Sequence, residues 1–468
     1  MVTRNHITRI SDTLWEIPRA YRADMRVPAR FYASEAMLDD ILGDRSLEQL
    51  VNVATLPGIR KYAIAMPDAH EGYGFPIGGV AAFDPDEGVI SPGGIGYDIN
   101  CGVRMLRSEL RLEDLGDRVG DLAQQLQREV PSGVGRGGSL TLRGRDLDAV
   151  IEEGAARMVA RGYGSEADLD RLESRGSLPD ADASAVSETA KARGRDQLGT
   201  MGAGNHFVEV DVVDHVFDED AADLSGIREG QVVFLIHTGS RGLGHQIATD
   251  SLKVMAKAMA RHRITVPDPQ LACVPFRSDE GQLYFRAMSA GANFAWANRQ
   301  MITHEVRRAW ALTFGDAGGP LEIVYDVAHN IAKVEEHLSG GRSERLVVHR
   351  KGATRAFDGQ PVLIPGSMGT ASYLLVGSRD AMNESFGSTC HGAGRRMSRT
   401  KAKREIDGGE LKARMKRMGI VVAAGSTKGL VEEAPEAYKD VDAVVDVVHR
   451  AGIAKKVARL RPVAVVKG

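Results

Sequence analysis

Two hydrophobic rhythms run through the chain, and neither dominates. Short alternating or continuous apolar runs predict strands at 13–17 (ended by Pro18), 62–66, 80–83, 88–90, 103–107, 207–212, 231–236, 321–325, 346–349, 361–364 and 462–468. Apolar residues spaced three and four apart predict helices at 34–41, 47–53, 112–130, 146–161, 253–262, 291–312, 401–418, 430–439 and 442–460, the last containing Gly452. Residues 162–196 are polar, first acidic and then basic, and are expected as surface helices or a lid, not a linker. No internal repeat and no Pro/Ser-rich linker divides the chain, and the strands are spaced too irregularly for a regular βαβ barrel. One large domain over 1–468, of mixed α/β or α+β class, is the expectation.

Composition narrows this picture in three ways. The 60 basic and 63 acidic residues leave a net charge of -3, so a polyanionic partner would have to be met by local basic groups or by a metal. Three cysteines (Cys101, Cys273, Cys390) make no disulfide framework, which points to a reducing cytoplasm. No apolar run is long enough to span a bilayer, and residues 1–22 carry charges throughout, so no membrane segment or secretory leader is expected. Among the 53 glycines, clusters stand around 72–79, 93–102, 202–204, 239–244, 366–369 and 387–394, where turns or close approach to a ligand would repay their backbone entropy. None forms a Gly-x-Gly-x-x-Gly helix opening or a Gly-x-x-x-x-Gly-Lys-Ser/Thr loop.

The chemistry gathers around residues 92–102. Asp98 and Cys101 are one hard and one soft candidate ligand three positions apart, with glycines on both sides. His206, His237 and His329 lie further on in apolar or Gly-rich surroundings. Each alone reads equally well as a hydrogen-bonded structural histidine. Together with Asp98 and Cys101 they supply N, N, N, O and S donors, and a thiolate can bridge two ions. Zn and Mn both suit such a set.

A second group of segments suggests nucleotide chemistry. His391 stands among small residues in Gly387-Ser388-Thr389-Cys390-His391-Gly392-Ala393-Gly394-Arg395-Arg396, either capping a loop or exposed to a ligand; a neutral imidazole nitrogen can attack phosphorus. Cys390 beside it lacks a base and reads as packing. Residues 365–372 offer backbone donors and hydroxyls, as a turn or a phosphate or base site. Asn205 and Glu209 could meet base or phosphate edges. Lys467 is an odd charge in an apolar strand unless it snorkels or meets a ligand. His349, Arg350, Lys351, Arg241, Arg395 and Arg396 are the candidate basic patch for nucleic-acid phosphates, with Lys351 expected as a direct contact. Asp68, His70 and Glu71 form a polar turn, either supporting a site or facing solvent.

These segments, from Pro67-Asp68-Ala69-His70 to the final Val-Lys-Gly, closely resemble the RtcB family of RNA ligases, with six separated motifs in family order. The resemblance implies a single α/β domain of the family's own type, with central mixed sheets and surrounding helices. It implies one Mn ion on Asp98, Cys101 and His206, and a second on Cys101, His237 and His329. It implies that His391 takes GMP from GTP, in a guanylate pocket of Asn205, His206, Phe207, Val208, Glu209, His329, Asn330, Pro365, Gly366, Ser367, Met368, Ser372, His391, Gly392, Ala393, Gly394 and Lys467. The implied reaction joins RNA ends bearing a 2',3'-cyclic phosphate or 3'-phosphate to 5'-hydroxyl ends, in tRNA splicing or RNA repair. GTP and RNA are the implied partners, an archease-like activator is a further candidate, and a monomer is favoured. The rival reading of the same ligands is a two-metal phosphodiesterase or cyclic phosphatase acting on RNA ends; it needs neither GTP nor a covalent histidine.

Overall fold

The protein is described by a computed structural model covering residues 2–133, 135–339, 342–425 and 427–468. Two large sheets organise it. The first orders Thr8–Arg9, Leu14–Ile17, Ala29–Tyr32, Ile59–His70, Ile77–Phe83, Arg342–Lys351 and Asn330–Ser339. Only Ala29–Tyr32 and Ile59–His70 pair parallel in it. The second orders Glu322–Ala328, Gly102–Arg111, Gln231–Thr238, Phe207–Val216, Ala454–Lys467, Ser372–Gly377 and Pro361–Ile364, with Val421–Ala424 running parallel beside Ala454–Lys467. His329 is the residue at which the chain leaves the second sheet for the first. The class is therefore mixed α/β, as expected.

Burial explains why these segments are strands. Every residue of Gln231–Thr238 is buried, so its apolar run has no polar alternate positions. Covering the second sheet is the helix Asp279–Phe314, 36 residues long. Ser278 opens it, its Oγ accepting from the Gly281 amide at 3.1 Å. All residues from Ala287 to Thr303 are buried, and the small side chains among them allow close packing on every side. The predicted 291–312 falls within this helix, which begins 12 residues earlier at Asp279.

Several expected elements fall differently. The predicted helix 442–460 is the helix Val441–Arg450 followed by the strand Ala454–Lys467. Gly452, at φ +73°, supplies the left-handed residue that ends the helix and turns the chain. The predicted helix 430–439 is the shorter Thr427–Glu432, and Pro435 begins a separate 3-10 turn. The span 401–418 divides into Arg399–Glu405 and Gly408–Arg417, the second capped by Asp407. Residues 112–130 and 146–161 are each two helices separated at glycine. Asn330–Ser339 and Arg342–Lys351 form a long antiparallel ladder of which only 346–349 was expected, because charged residues interrupt its apolar positions.

Residues 162–196 contain the short helices Glu166–Leu169 and Glu188–Gly194 with 3-10 turns between. The segment is stitched down by buried acids. Asp168 takes a two-pronged bond from Arg307 at 2.7 and 2.8 Å, and Glu173 binds Lys333 and the Ala328 amide. No helix among the described residues is long and apolar enough to cross a membrane.

Candidate active site

Antiparallel pairing alternates strand direction, and that alternation collects residues distant in sequence on one rim of the second sheet. Cys101 immediately precedes Gly102–Arg111, where Gly102 pairs with Thr238 and Val103 with His237. His206 precedes Phe207–Val216, and Phe207 pairs with His237 in turn. On the other side Gly102 pairs with Ala328, the residue before His329. The terminal strand Ala454–Lys467 sets Lys467 opposite Phe207.

Cys101 Sγ lies 3.5 Å from His206 Nε2 and 3.4 Å from His237 Nε2. His206 Nε2 is 2.8 Å from Asp98 Oδ2, and His237 Nε2 faces His329 Nε2 at 3.3 Å. The donors form two triads, Asp98–Cys101–His206 and Cys101–His237–His329, each with its ligand atoms within 4.8 Å of one another. The thiol belongs to both. His206 Nδ1–H donates to the Met201 carbonyl at 2.9 Å, which turns its Nε2 lone pair toward Asp98 and Cys101. Burial, helped by neighbouring histidine charge, drives the His237 and His329 rings well below the usual imidazole range, so both are neutral. Burial, and then the Asp98 charge, push the Cys101 thiol well up. Burial also raises the Asp98 carboxyl, but the bond and charge of His206 and the charge of Arg241 outweigh it and hold it at about 2. Two neutral Nε2 atoms 3.3 Å apart share one hydrogen at most. A carboxylate, a thiol and three imidazoles arranged this way could hold a metal ion at each triad.

Arg299, from the middle of the long helix, ties the rim together. Its guanidinium donates to the carbonyls of Asn100 at 2.8 Å and Thr238 at 2.9 Å, and to both Asp326 oxygens at 2.8 and 2.9 Å. Those residues lie one before Cys101, one after His237 and three before His329. Asn330 adds a second tie, its Nδ2 donating to the Asp98 carbonyl at 3.0 Å and its Oδ1 accepting from Gly352 N at 2.9 Å.

His391 follows the short strand Ser388–Cys390, which pairs with Ala353–Arg355. Its ring centroid is 4.9 Å from that of His329. Asp68, wholly buried on Ile59–His70, accepts from His391 Nδ1–H at 2.6 Å and from the His391 amide at 3.1 Å. That bond fixes the tautomer and leaves Nε2 with its lone pair. Gly352, at φ +58°, packs against the same ring: a Cβ there would meet Ile77 at 2.3 Å and His391 Cε1 at 3.1 Å. Both groups open into one cavity of about 380 Å³. A larger groove, about 790 Å³ and lined by Arg107, Asp168, Arg307 and Trp310, includes none of these residues.

Of the residues singled out from sequence, Asp98, Cys101, Asn205, Phe207, His237, His329, Asn330, Pro365, Gly366, Ser367, His391, Gly392, Ala393, Gly394 and Lys467 line the cavity. His206 lies behind Asp98 and Cys101. Ser367 Oγ is buried without a hydrogen-bond partner among the described residues. Val208, Met368 and Ser372 are buried outside the lining, Ser372 Oγ accepting from Gly366 N at 3.1 Å. Glu209 shares a sheet face with Phe207, next to Lys467. Burial raises Glu209 to about 7 and lowers Lys467; the Lys467 charge opposes the first, and the Glu433 and Glu209 charges oppose the second.

The expected basic patch does not form as read. Arg350 is fully buried in a two-pronged pair with Glu335 at 2.8 Å, and His349 is buried. Lys351 lines the cavity, yet its ammonium donates to the carbonyls of Tyr73, Phe75 and Gly93 and is not free for phosphate. Arg395 is tied to Glu433, Tyr438 and the Glu432 carbonyl, Arg241 is half-buried with its Nε donating to Thr200 Oγ1 at 3.2 Å, and Arg396 is exposed. Tyr438, Glu433, Tyr73 and Tyr97 also line the cavity and were not marked from sequence. Tyr438 lay inside an expected helix, and no local signal separates it from a packing aromatic.

A family model described as tRNA-splicing ligase RtcB matches residues 49–468. The chain is 54% identical to the tRNA-splicing ligase RtcB of Thermococcus kodakarensis, over 99% of each chain. It is 54% identical to that of Archaeoglobus fulgidus, again over 99% of each. Against the Methanococcus maripaludis protein of the same name the identity is 49%, over 99% of this chain and 100% of that one.

Proposed function

The chain belongs to the RtcB family, and from that premise we propose that it is an RNA ligase that joins 2',3'-cyclic phosphate or 3'-phosphate ends to 5'-hydroxyl ends, using GTP and two Mn ions. The observation that carries the reading is one cavity holding a histidine with a fixed, free Nε2 beside two cation-ready triads that share Cys101. Asp98, Cys101 and His206 would hold one ion, and Cys101, His237 and His329 the other. When bound, the ions supply positive charge that offsets phosphate repulsion and stabilises developing charge on oxygen.

The chain's own residues supply the rest. A cyclic end is first opened by water to a 3'-phosphate. His391 Nε2 attacks the α-phosphorus of GTP, the bond to the β-phosphate oxygen breaks, and pyrophosphate leaves. Asp68 holds the Nδ1 proton and stabilises the positive charge the ring gains. A 3'-phosphate oxygen then displaces His391, giving an RNA end joined through a diphosphate to guanosine. The 5'-hydroxyl of the second strand attacks the RNA-side phosphorus, and GMP departs. The guanylate would lie along Asn205, Phe207, Pro365, Gly366, Ser367 and Lys467, with the Ser367 hydroxyl, unbonded among the described residues, as a polar contact.

Incubation with GTP labelled at the α-phosphate, in the presence of Mn, tests this. An acid-labile label on the protein, absent from His391→Ala, is expected. Label persisting in that variant would overturn the nucleophile assignment, and an unlabelled parent that opens cyclic ends with water would make it a phosphodiesterase.

A further inference from the structure

The cavity's rim carries an arrangement that the bond-making steps do not use. Tyr73 and Tyr97 both line the cavity, their rings edge to face at 5.5 Å and 64°. His245 lies nearly flat on Tyr97, with centroids 4.9 Å apart and planes 26° apart. The two tyrosines are partly exposed and His245 is exposed. Neither tyrosine belongs to a buried hydrophobic cluster, so the rings are not explained as core.

The platform is held rigidly. Tyr97 immediately precedes Asp98, and His245 stands one turn after Arg241 at the start of the helix Arg241–Ala258. Lys351 binds the carbonyls of Tyr73 and Gly93, fastening the two loops that present the tyrosines to one another. The backbone and Cβ of the exposed Arg193 pack against Gly242 at the same helix start, and Arg193 has no ion-pair partner among the described residues. Rigid aromatic rings at the mouth of a reactive cavity match what an unpaired nucleic-acid strand offers, flat bases that stack.

We propose that Tyr73, Tyr97 and His245 form a stacking platform for the unpaired bases of the RNA strand whose end enters the cavity. This rests on the RNA-ligase reading and adds to it a requirement: the nucleotides nearest the join must be single-stranded and must carry bases. Stacking on these faces is tolerant of sequence, because every base has a π-face.

The test pairs protein variants with abasic strands, using the full chain with Mn. Short fluorescent oligoribonucleotides ending in a 3'-phosphate, or beginning with a 5'-hydroxyl, are compared with the same strands lacking their terminal bases. Removing a ring by His245→Ala or Tyr97→Leu should weaken binding of one intact strand by about 5- to 150-fold. The abasic strand should lose less than about twofold, the non-additivity expected of groups in contact. Tyr97→Phe should bind like the parent. Equal losses on intact and abasic strands, or unchanged binding of both, would overturn the platform. GTP labelling separates the two proposals: His245→Ala should take label as the parent does. A parent that takes no label would remove the ligase reading while leaving any base-dependent binding standing.

Discussion

A single carboxylate decides what His391 can do. Asp68 accepts two hydrogen bonds from His391, one from the ring and one from the amide, in a place closed to water. The neutral amide in Asp68→Asn would keep the volume and an accepting oxygen, but no negative charge to hold the Nδ1 proton in place and balance the charge that grows on the ring. The rate of His391 labelling by GTP should fall by about 10²-fold or more, with the circular dichroism spectrum unchanged. An unaltered rate would show that the contact does not orient the nucleophile. In the sequence Asp68 is indistinguishable from His70 and Glu71 beside it. Its partner lies 323 positions away, and no local spacing encodes that meeting. The metal-ligand candidates were easier to read because each histidine interrupts an apolar or glycine-rich stretch where packing alone gives no reason for an imidazole.

Among the elements, the long helix is the one that holds the rim in register. Arg299 reaches three strand ends at once, and it does so as a planar fork whose geometry an ammonium cannot copy. In Arg299→Lys the Asn100, Thr238 and Asp326 ends should each gain freedom. Mn affinity, read by electron paramagnetic resonance titration, should drop by about 10- to 100-fold. Affinity equal to the parent's would mean that the strands hold the ligands without the helix. Sheet strands with continuous apolar runs, such as 231–236, were legible in the sequence because both faces are covered. Of the ladder of Asn330–Ser339 and Arg342–Lys351 only 346–349 was, since Lys333, Glu335 and Arg350 find buried partners that only the folded chain provides. Buried ion pairs turn residues that read as surface into interior ones. The same effect explains Lys351, whose charge looked available and is instead bound to main-chain carbonyls.

For the whole molecule, the buried carboxyl of Glu305 makes stability depend on pH. Both its oxygens lack hydrogen-bond partners among the described residues, and burial, then the Glu129 charge, push it up to about 9 against a weaker pull from Arg308. In the unfolded chain a glutamate titrates at about 4.3. Between those values the folded form binds the proton that the unfolded form releases, so stability falls as pH rises from about 4.3 to about 9. Glu305→Gln should therefore melt above the parent at pH 8.5 and with it near pH 4.5, in paired thermal scans; coincident curves at both pH values would contradict this. Total charge foretold none of it, because a balance of -3 says nothing about where one acid is enclosed.

The rim described above draws on strands contributed from early, middle and late portions of the polypeptide, with contacts spanning 108, 136 and 323 positions. Contacts that span so many positions carry a loop-closure cost that is repaid only when the sheet pairs. A half-made or partly melted chain consequently holds the same histidines and the Cys101 thiol apart from one another. The site exists only once the fold is complete.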